Sequence, residues 1–208
     1  MPVLQVYFPA GSLIDERKAA LAQRLTDVLL AMEGGAKTDG GRAFATVLFT
    51  EVPKSDWWVG GSTDSTYVAP PGKFLVRVSV PEGYMNGSQK SDVHAAVNAA
   101  ICDVVGDRRP NQGANVLVII DEVPEGNWGS RGQTISLAMI ADTVGLPKNG
   151  ERFKWVRAYF DAKARARAAA NYPPDTGGLI NDGRKMRLRN PCFDASMTSC
   201  SATHFDWL

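Results

Sequence analysis

Histidine and cysteine are scarce in this sequence, with two of the first and three of the second among 208 residues. His94 and His204 lie far apart, so no zinc-ligand spacing appears, and neither a metal nor an organic cofactor is expected. Cys102, Cys192 and Cys200 form an odd, sparse set that fits a reducing cytoplasm rather than a disulfide scaffold. Cys102 falls in an apolar helical pattern and reads as a small core residue; Cys192 and Cys200 could pair, but nothing requires it. An excess of one charge is also missing. Twenty-three basic residues face 22 acidic ones, a net charge of +1, so no basic field points to nucleic acid. No apolar run approaches the roughly 18 residues of a membrane span. The first residues have no basic region ahead of a short apolar stretch, so they do not read as a signal peptide. What remains is an ordinary globular composition, 44% hydrophobic and 22% charged, enough for one medium domain and an appendage.

The chain repeats itself with a period of about 72 residues. Val3-Leu4-Gln5-Val6-Tyr7-Phe8 followed by Pro9-Ala10-Gly11 matches Phe74-Leu75-Val76-Arg77-Val78-Ser79-Val80 followed by Pro81-Glu82-Gly83. Both read as a strand and a Pro-x-Gly turn. A helical stripe follows each: Leu21, Leu25, Val28, Leu29 and Met32 in the first, Val93, Val97, Ile101, Val104 and Val105 in the second. Asp15 and Glu16 stand near the first helix's N-terminus, where the macrodipole favours acids. Ser91 or Asp92 is the expected N-cap of the second. Each unit then closes on a second strand, Thr46–Thr50 or Val116–Asp121, and a tag: Glu51-Val52-Pro53 with Trp57 four residues past the proline, Glu122-Val123-Pro124 with Trp128 four past. Repetition of the two glutamates gives them a structural task.

The expected fold is therefore α/β. Two tandem β-α-β units, with parallel strands inside each, form a four-stranded sheet with two helices on one face. The other face needs cover, which favours an oligomer. Residues 33–42 read as a glycine-rich linker without phosphate-loop spacing, and 62–72 as a polar connector. A short helix is expected over 134–143 and an amphipathic one from Glu151 to Ala170, with an arm beyond Tyr172. The basic run Lys163 to Arg167 reads as a solvated helix face.

With Met-Pro at the start, the β-α-β repeat and Gly60-Gly61 after the second strand, the sequence resembles the tautomerase superfamily. The fused double unit is similar to the cis-3-chloroacrylic acid dehalogenase, macrophage migration inhibitory factor and malonate semialdehyde decarboxylase groups. It is most similar to the first, through Pro2-Val3 and Val6-Tyr7, Thr26-Asp27 in the first helix, and Phe49-Thr50-Glu51-Val52-Pro53. The resemblance spans roughly residues 2–135; the expected domains are a tautomerase-like one over 1–149 (units at about 2–61 and 73–135) and a C-terminal helix and arm over 150–208. The resemblance implies a homotrimer in which Pro2, freed by removal of Met1, is catalytic base or acid on a small carbonyl acid or enol. A free α-amine has a reference pKa of about 7.7–8.0, which burial lowers toward neutrality, where a general base works best.

The pattern also departs from those groups. Aligned through Glu122-Val123-Pro124, the dehalogenases' water-activating acid falls at Ser130. Their helix histidine falls at Leu29, their two carboxylate-binding arginines at Pro81 and Tyr84, and their strand tyrosine at Ile119. The arginines of single-unit tautomerases fall at Ser12 and near Thr46. These departures argue against hydrolytic dehalogenation. They leave Arg42, Arg77 and Arg131 as candidate carboxylate-binding residues, since a guanidinium suits a bidentate grip. Trp57 or Trp58 are candidates for an apolar wall, and Tyr84 for a hydroxyl donor. A Pro2-dependent decarboxylase or other lyase acting on a β-keto acid, and a non-catalytic binding member of the fold, stay open as alternatives.

Overall fold

Alternation along the first strand sets the layers. In β1 (Val3–Pro9), Leu4, Val6 and Phe8 are fully buried while Val3, Gln5 and Tyr7 are only partly covered, the two-residue period of a strand with one face on the core. The computed structural model describes residues 2–32, 39–106 and 113–173. β1 lies at the centre of a sheet in the order β2-β1-β3-β4, with β2 at Thr46–Val52, β3 at Phe74–Pro81 and β4 at Val116–Val123. Pairing is parallel within each unit (Val3 with Thr46, Phe74 with Val116) and antiparallel between units (Val3 with Ser79). The tandem β-α-β plan, the four-stranded sheet and the two helices read from the repeat are all present.

The helices α1 (Asp15–Met32) and α3 (Gly87–Val105) lie together on one sheet face. Leu21, Leu25 and Leu29 of α1 and Val93, Val97 and Ile101 of α3 meet the inward side chains of the strands in one core. Phe8 anchors it, edge-on to Phe49 with ring centres 6.0 Å apart and tilted against Phe74 at 6.3 Å. Burying each such side chain contributes about 1.5–3 kcal/mol. Cys102 is buried here, as its place in the stripe implies; Cys192, Cys200 and His204 lie outside the described residues. Among the described residues, the opposite face carries exposed apolar side chains: Leu48, Leu117 and Ile119 are 47%, 59% and 45% exposed. Among the described residues, no helix is long and apolar enough to cross a membrane.

Two local readings are corrected. The N-cap of α3 is Asn86, not Ser91 or Asp92. Its side chain accepts the Gln89 N–H at 3.0 Å, and Gln89 returns a bond to the Asn86 N–H at 2.9 Å, a reciprocal capping box that starts the helix a turn earlier. The glycine-rich segment is not all linker. Asp39–Phe44 forms a short helix, α2, and Gly40 lets it pass close to Thr143, whose carbonyl oxygen would stand 2.6 Å from a Cβ there; residues 33–38 lie outside the described residues. The helix expected over 134–143 is α4 (Leu137–Thr143), capped by Ser136, and it follows a hairpin of β5 (Gly129–Ser130) and β6 (Gln133–Thr134). The long amphipathic helix is α5 (Glu151–Ala169), which buries Phe153, Val156 and Phe160. The arm expected after Tyr172 falls almost wholly outside the described residues.

Candidate active site

Pro2 is buried at the head of the central strand, and its carbonyl accepts the Thr46 N–H at 3.3 Å. The antiparallel register sets Val3 against Ser79, so Pro2 stands one step on, opposite Val80. The turn Pro81-Glu82-Gly83-Tyr84 therefore leaves the sheet at the amine end of β1. The starts of β1 and β2 and the ends of β3 and β4 share this end. Its counterpart in the second unit, Phe74, follows Lys73 inside the chain, and Lys73 is only 9% exposed. It donates to the carbonyls of Trp57 (3.0 Å) and Thr63 (2.7 Å), tying down the loop around Gly60 and Gly61.

Three of the sequence candidates lie toward the Pro2 end. Arg42 sits in α2, just before β2, and its guanidinium binds Asp27 of α1 at 3.1 Å with both side chains about half exposed. Arg131 occupies the β5–β6 turn with φ +53° and is exposed. Tyr84 is 3% exposed; Arg152 of α5 stacks over its ring at 5.1 Å and donates to its carbonyl at 3.2 Å. Arg77 is placed elsewhere, in mid-strand on the open sheet face. Asp121 holds it through two bonds of 2.9 and 3.0 Å, and that carboxylate pushes the guanidinium's pKa still higher. Trp57 and Trp58 follow β2, whose end pairs with Pro9. They stand a strand length from Pro2 in the same chain, roughly 20 Å at 3.3 Å per residue. Trp57 is half-buried, and Trp58 is 63% exposed. The repeat's other tryptophan, Trp128, is the one at the Pro2 end, packed against Ile135, Ile140 and Val144 with its indole nitrogen buried and unpaired.

Sequence reasoning missed the contribution of α5. Lys163 and the Tyr159 hydroxyl both bind the same oxygen of Glu82, the tyrosine at 2.8 Å. The Tyr159 ring covers Gly83 so closely that a Cβ there would overlap it. Burial pushes the Glu82 carboxyl up, but the bonds from Lys163 and Tyr159 outweigh it and hold the group below its ordinary range. Burial, then the hydrogen bond to Glu82 and that group's charge, pushes the Tyr159 hydroxyl up to about 12. Glu82 Oε2 and Arg167 Nη1 are buried without a partner. The basic run is thus not simply a solvated face: Lys163 is 19% exposed, and only Arg165 of its three cations is wholly outward. A signal was available, since Tyr159, Lys163 and Arg167 recur every four residues and so share one side of the helix. Glu125, 6% exposed, is a structural tie; both its oxygens accept the Leu137 N–H at the start of α4, at 3.1 and 3.2 Å. Among the described residues, no cluster of three or more His, Cys, Asp or Glu side chains is placed to hold a metal.

Comparison with known proteins agrees with this architecture. Among solved structures the chain is similar to a native fused 4-OT, at 28% identity and TM-score 0.52, over 64% of this chain and 94% of that one. It is similar to a fused 4-OT asymmetric trimer at 24% identity and TM-score 0.51, with the same two coverages. It also shares the fold of N1, a member of the cis-3-chloroacrylic acid dehalogenase family, at 20% identity and TM-score 0.51, over 82% of this chain and 99% of that one. No curated protein matches the chain by sequence. The family described as "Putative oxalocrotonate tautomerase enzyme" matches residues 1–139, and the chain belongs to this tautomerase family.

Proposed function

We propose that this protein is a cofactor-independent tautomerase that works as a homotrimer, with the amine of Pro2 as general base and acid. The observation that carries the reading is the position of Pro2: buried, at the head of a central strand, within the family-matched region. A freed α-amine has a reference pKa of about 7.7–8.0, which makes it available as a base near neutral pH. It takes a proton from the carbon next to a carbonyl and returns one to the enol. The substrate class is a small carbonyl acid or its enol.

Two further features support the assembly. Fused 4-OT relatives were solved as trimers. Among the described residues, Leu48, Leu117 and Ile119 stand exposed on the sheet face away from the helices, apolar surface of the kind that subunits bury against one another. Trp57 and Trp58, remote from Pro2 in their own chain, reach a Pro2 site only from a neighbouring subunit. Arg42 and Arg131, at the Pro2 end, remain the arginines proposed to face the substrate, and the paired Arg77 belongs with the subunit contact. Proton NMR of phenylpyruvate in D2O tests the chemistry. Enzyme-dependent exchange of the C3 protons is expected, and exchange no faster than in buffer contradicts the reading.

A further inference from the structure

Arg42 and Arg77, two of the arginines the sequence offers as a carboxylate grip, are held by Asp27 and Asp121. The same end of the molecule carries an unhelpful charge: Glu82 stands two residues past Val80, the position opposite Pro2. Left bare, its carboxylate would repel an anionic substrate at the amine. It is not bare, because α5 lays Tyr159, Lys163 and Arg167 against it. The first unit shows the contrast. A Cβ on Gly11, the counterpart of Gly83, meets nothing within 4 Å, whereas Gly83 is sealed by Tyr159. α5 therefore covers one of two repeated turns, the one at the catalytic end. It also lies wholly beyond residue 139, where the family match stops.

We propose that α5 is the specificity-determining wall of this site: Lys163 and Arg167 offset Glu82 and favour a substrate bearing a carboxylate. Arg167 adds a second positive charge beside Glu82, whose carboxyl it helps to hold ionised. Arg152, through Tyr84, holds the other side of the turn. The location of the wall rests on reading Pro2 as the reacting amine, but its effect on binding does not.

The test is therefore a binding measurement on the full chain, independent of turnover. Phenylacetate and the neutral phenylacetamide are titrated by NMR into the wild type, Lys163→Met, Arg167→Met and the double variant Glu82→Gln/Lys163→Met. Lys163→Met and Arg167→Met are expected to weaken phenylacetate by about fivefold or more and leave phenylacetamide within about twofold. Adding Glu82→Gln to Lys163→Met restores the acid's affinity. Parallel losses for acid and amide would reduce α5 to packing and overturn the proposal. So would an acid affinity indifferent to Lys163 and Arg167, or a wild type that does not bind the acid. If the α5 variants behave as expected while phenylpyruvate is not turned over, the catalytic reading fails and the wall stands.

Discussion

Glu122 accepts the backbone N–H of Gly83 at 3.3 Å, and its other oxygen takes Lys90 at 2.7 Å. The first unit repeats the device: Glu51 accepts the Gly11 N–H at 3.2 Å and Lys18 at 2.6 Å. Each glutamate ends a strand, pins the Pro-x-Gly turn of the neighbouring strand and reaches the first turns of the helix that follows. The bond from Lys18, then that from Gly11, holds the Glu51 carboxyl below its ordinary range. The glutamates close the strand–turn–helix corner in each unit.

The two corners respond differently to the same substitution. Gly11 and Gly83 both have positive φ, +75° and +70°, so alanine at either costs about 1–2 kcal/mol for the left-handed backbone. Only at Gly83 must the Cβ also displace the Tyr159 ring. Gly83→Ala is expected to lower the chemical-denaturation midpoint by clearly more than Gly11→Ala. Equal losses would mean that α5 contributes nothing at that turn.

Docking of α5 depends on pH at both ends. The Glu82 carboxyl is held below its ordinary 4.5, so its contribution is present above that value and is lost as pH falls through the lower folded value. The Tyr159 hydroxyl is raised from 10.0 to about 12, so its contribution is present below 10 and is lost as pH rises toward 12. Hydrogen exchange across α5 is expected to be slowest relative to the rest of the core between these limits. The acid loss should be smaller in Glu82→Gln. An unchanged acid loss in that variant would contradict the assignment.

The open sheet face gives a prediction about assembly. Leu117 and Ile119 project from β4 on the side away from the helices. Leu117→Glu buries a charge if three chains meet there, at a cost of several kcal/mol in a dry interface. Light scattering coupled to size exclusion should report a trimer for the wild type and monomer for Leu117→Glu, with the far-ultraviolet dichroism unchanged. A wild type that is already monomeric would remove the trimer from the account.

Much of the fold was legible because two signals agreed. Leu4, Val6 and Phe8 alternate as a half-buried strand must, Leu21, Leu25 and Leu29 recur as a helix must, and both patterns return in the second half of the sequence. Pro2 was legible as a candidate from the same framework. The partners of each arginine were not. Arg42 meets Asp27 across 15 residues of sequence, Arg77 meets Asp121 across 44, and Lys163 meets Glu82 across 81. Such pairs form only when separate elements dock, and local spacing carries no record of them. The N-cap of α3 was missed for a different reason: Asn86 and Gln89 satisfy the capping-box spacing, but they precede the apolar stripe by a full turn.

The central claim is that the Pro2 amine does the chemistry. It is tested most directly by the phenylpyruvate enol–keto assay on wild type and Pro2→Ala, with the intact mass of each sample measured alongside. The mass is expected to show Met1 removed. Activity should fall at least about tenfold in the variant, a loss of about 1.4 kcal/mol or more in transition-state stabilisation. Equal activity in the two proteins with Met1 gone, or an active wild type that retains Met1 and so has no free Pro2 amine, would contradict it.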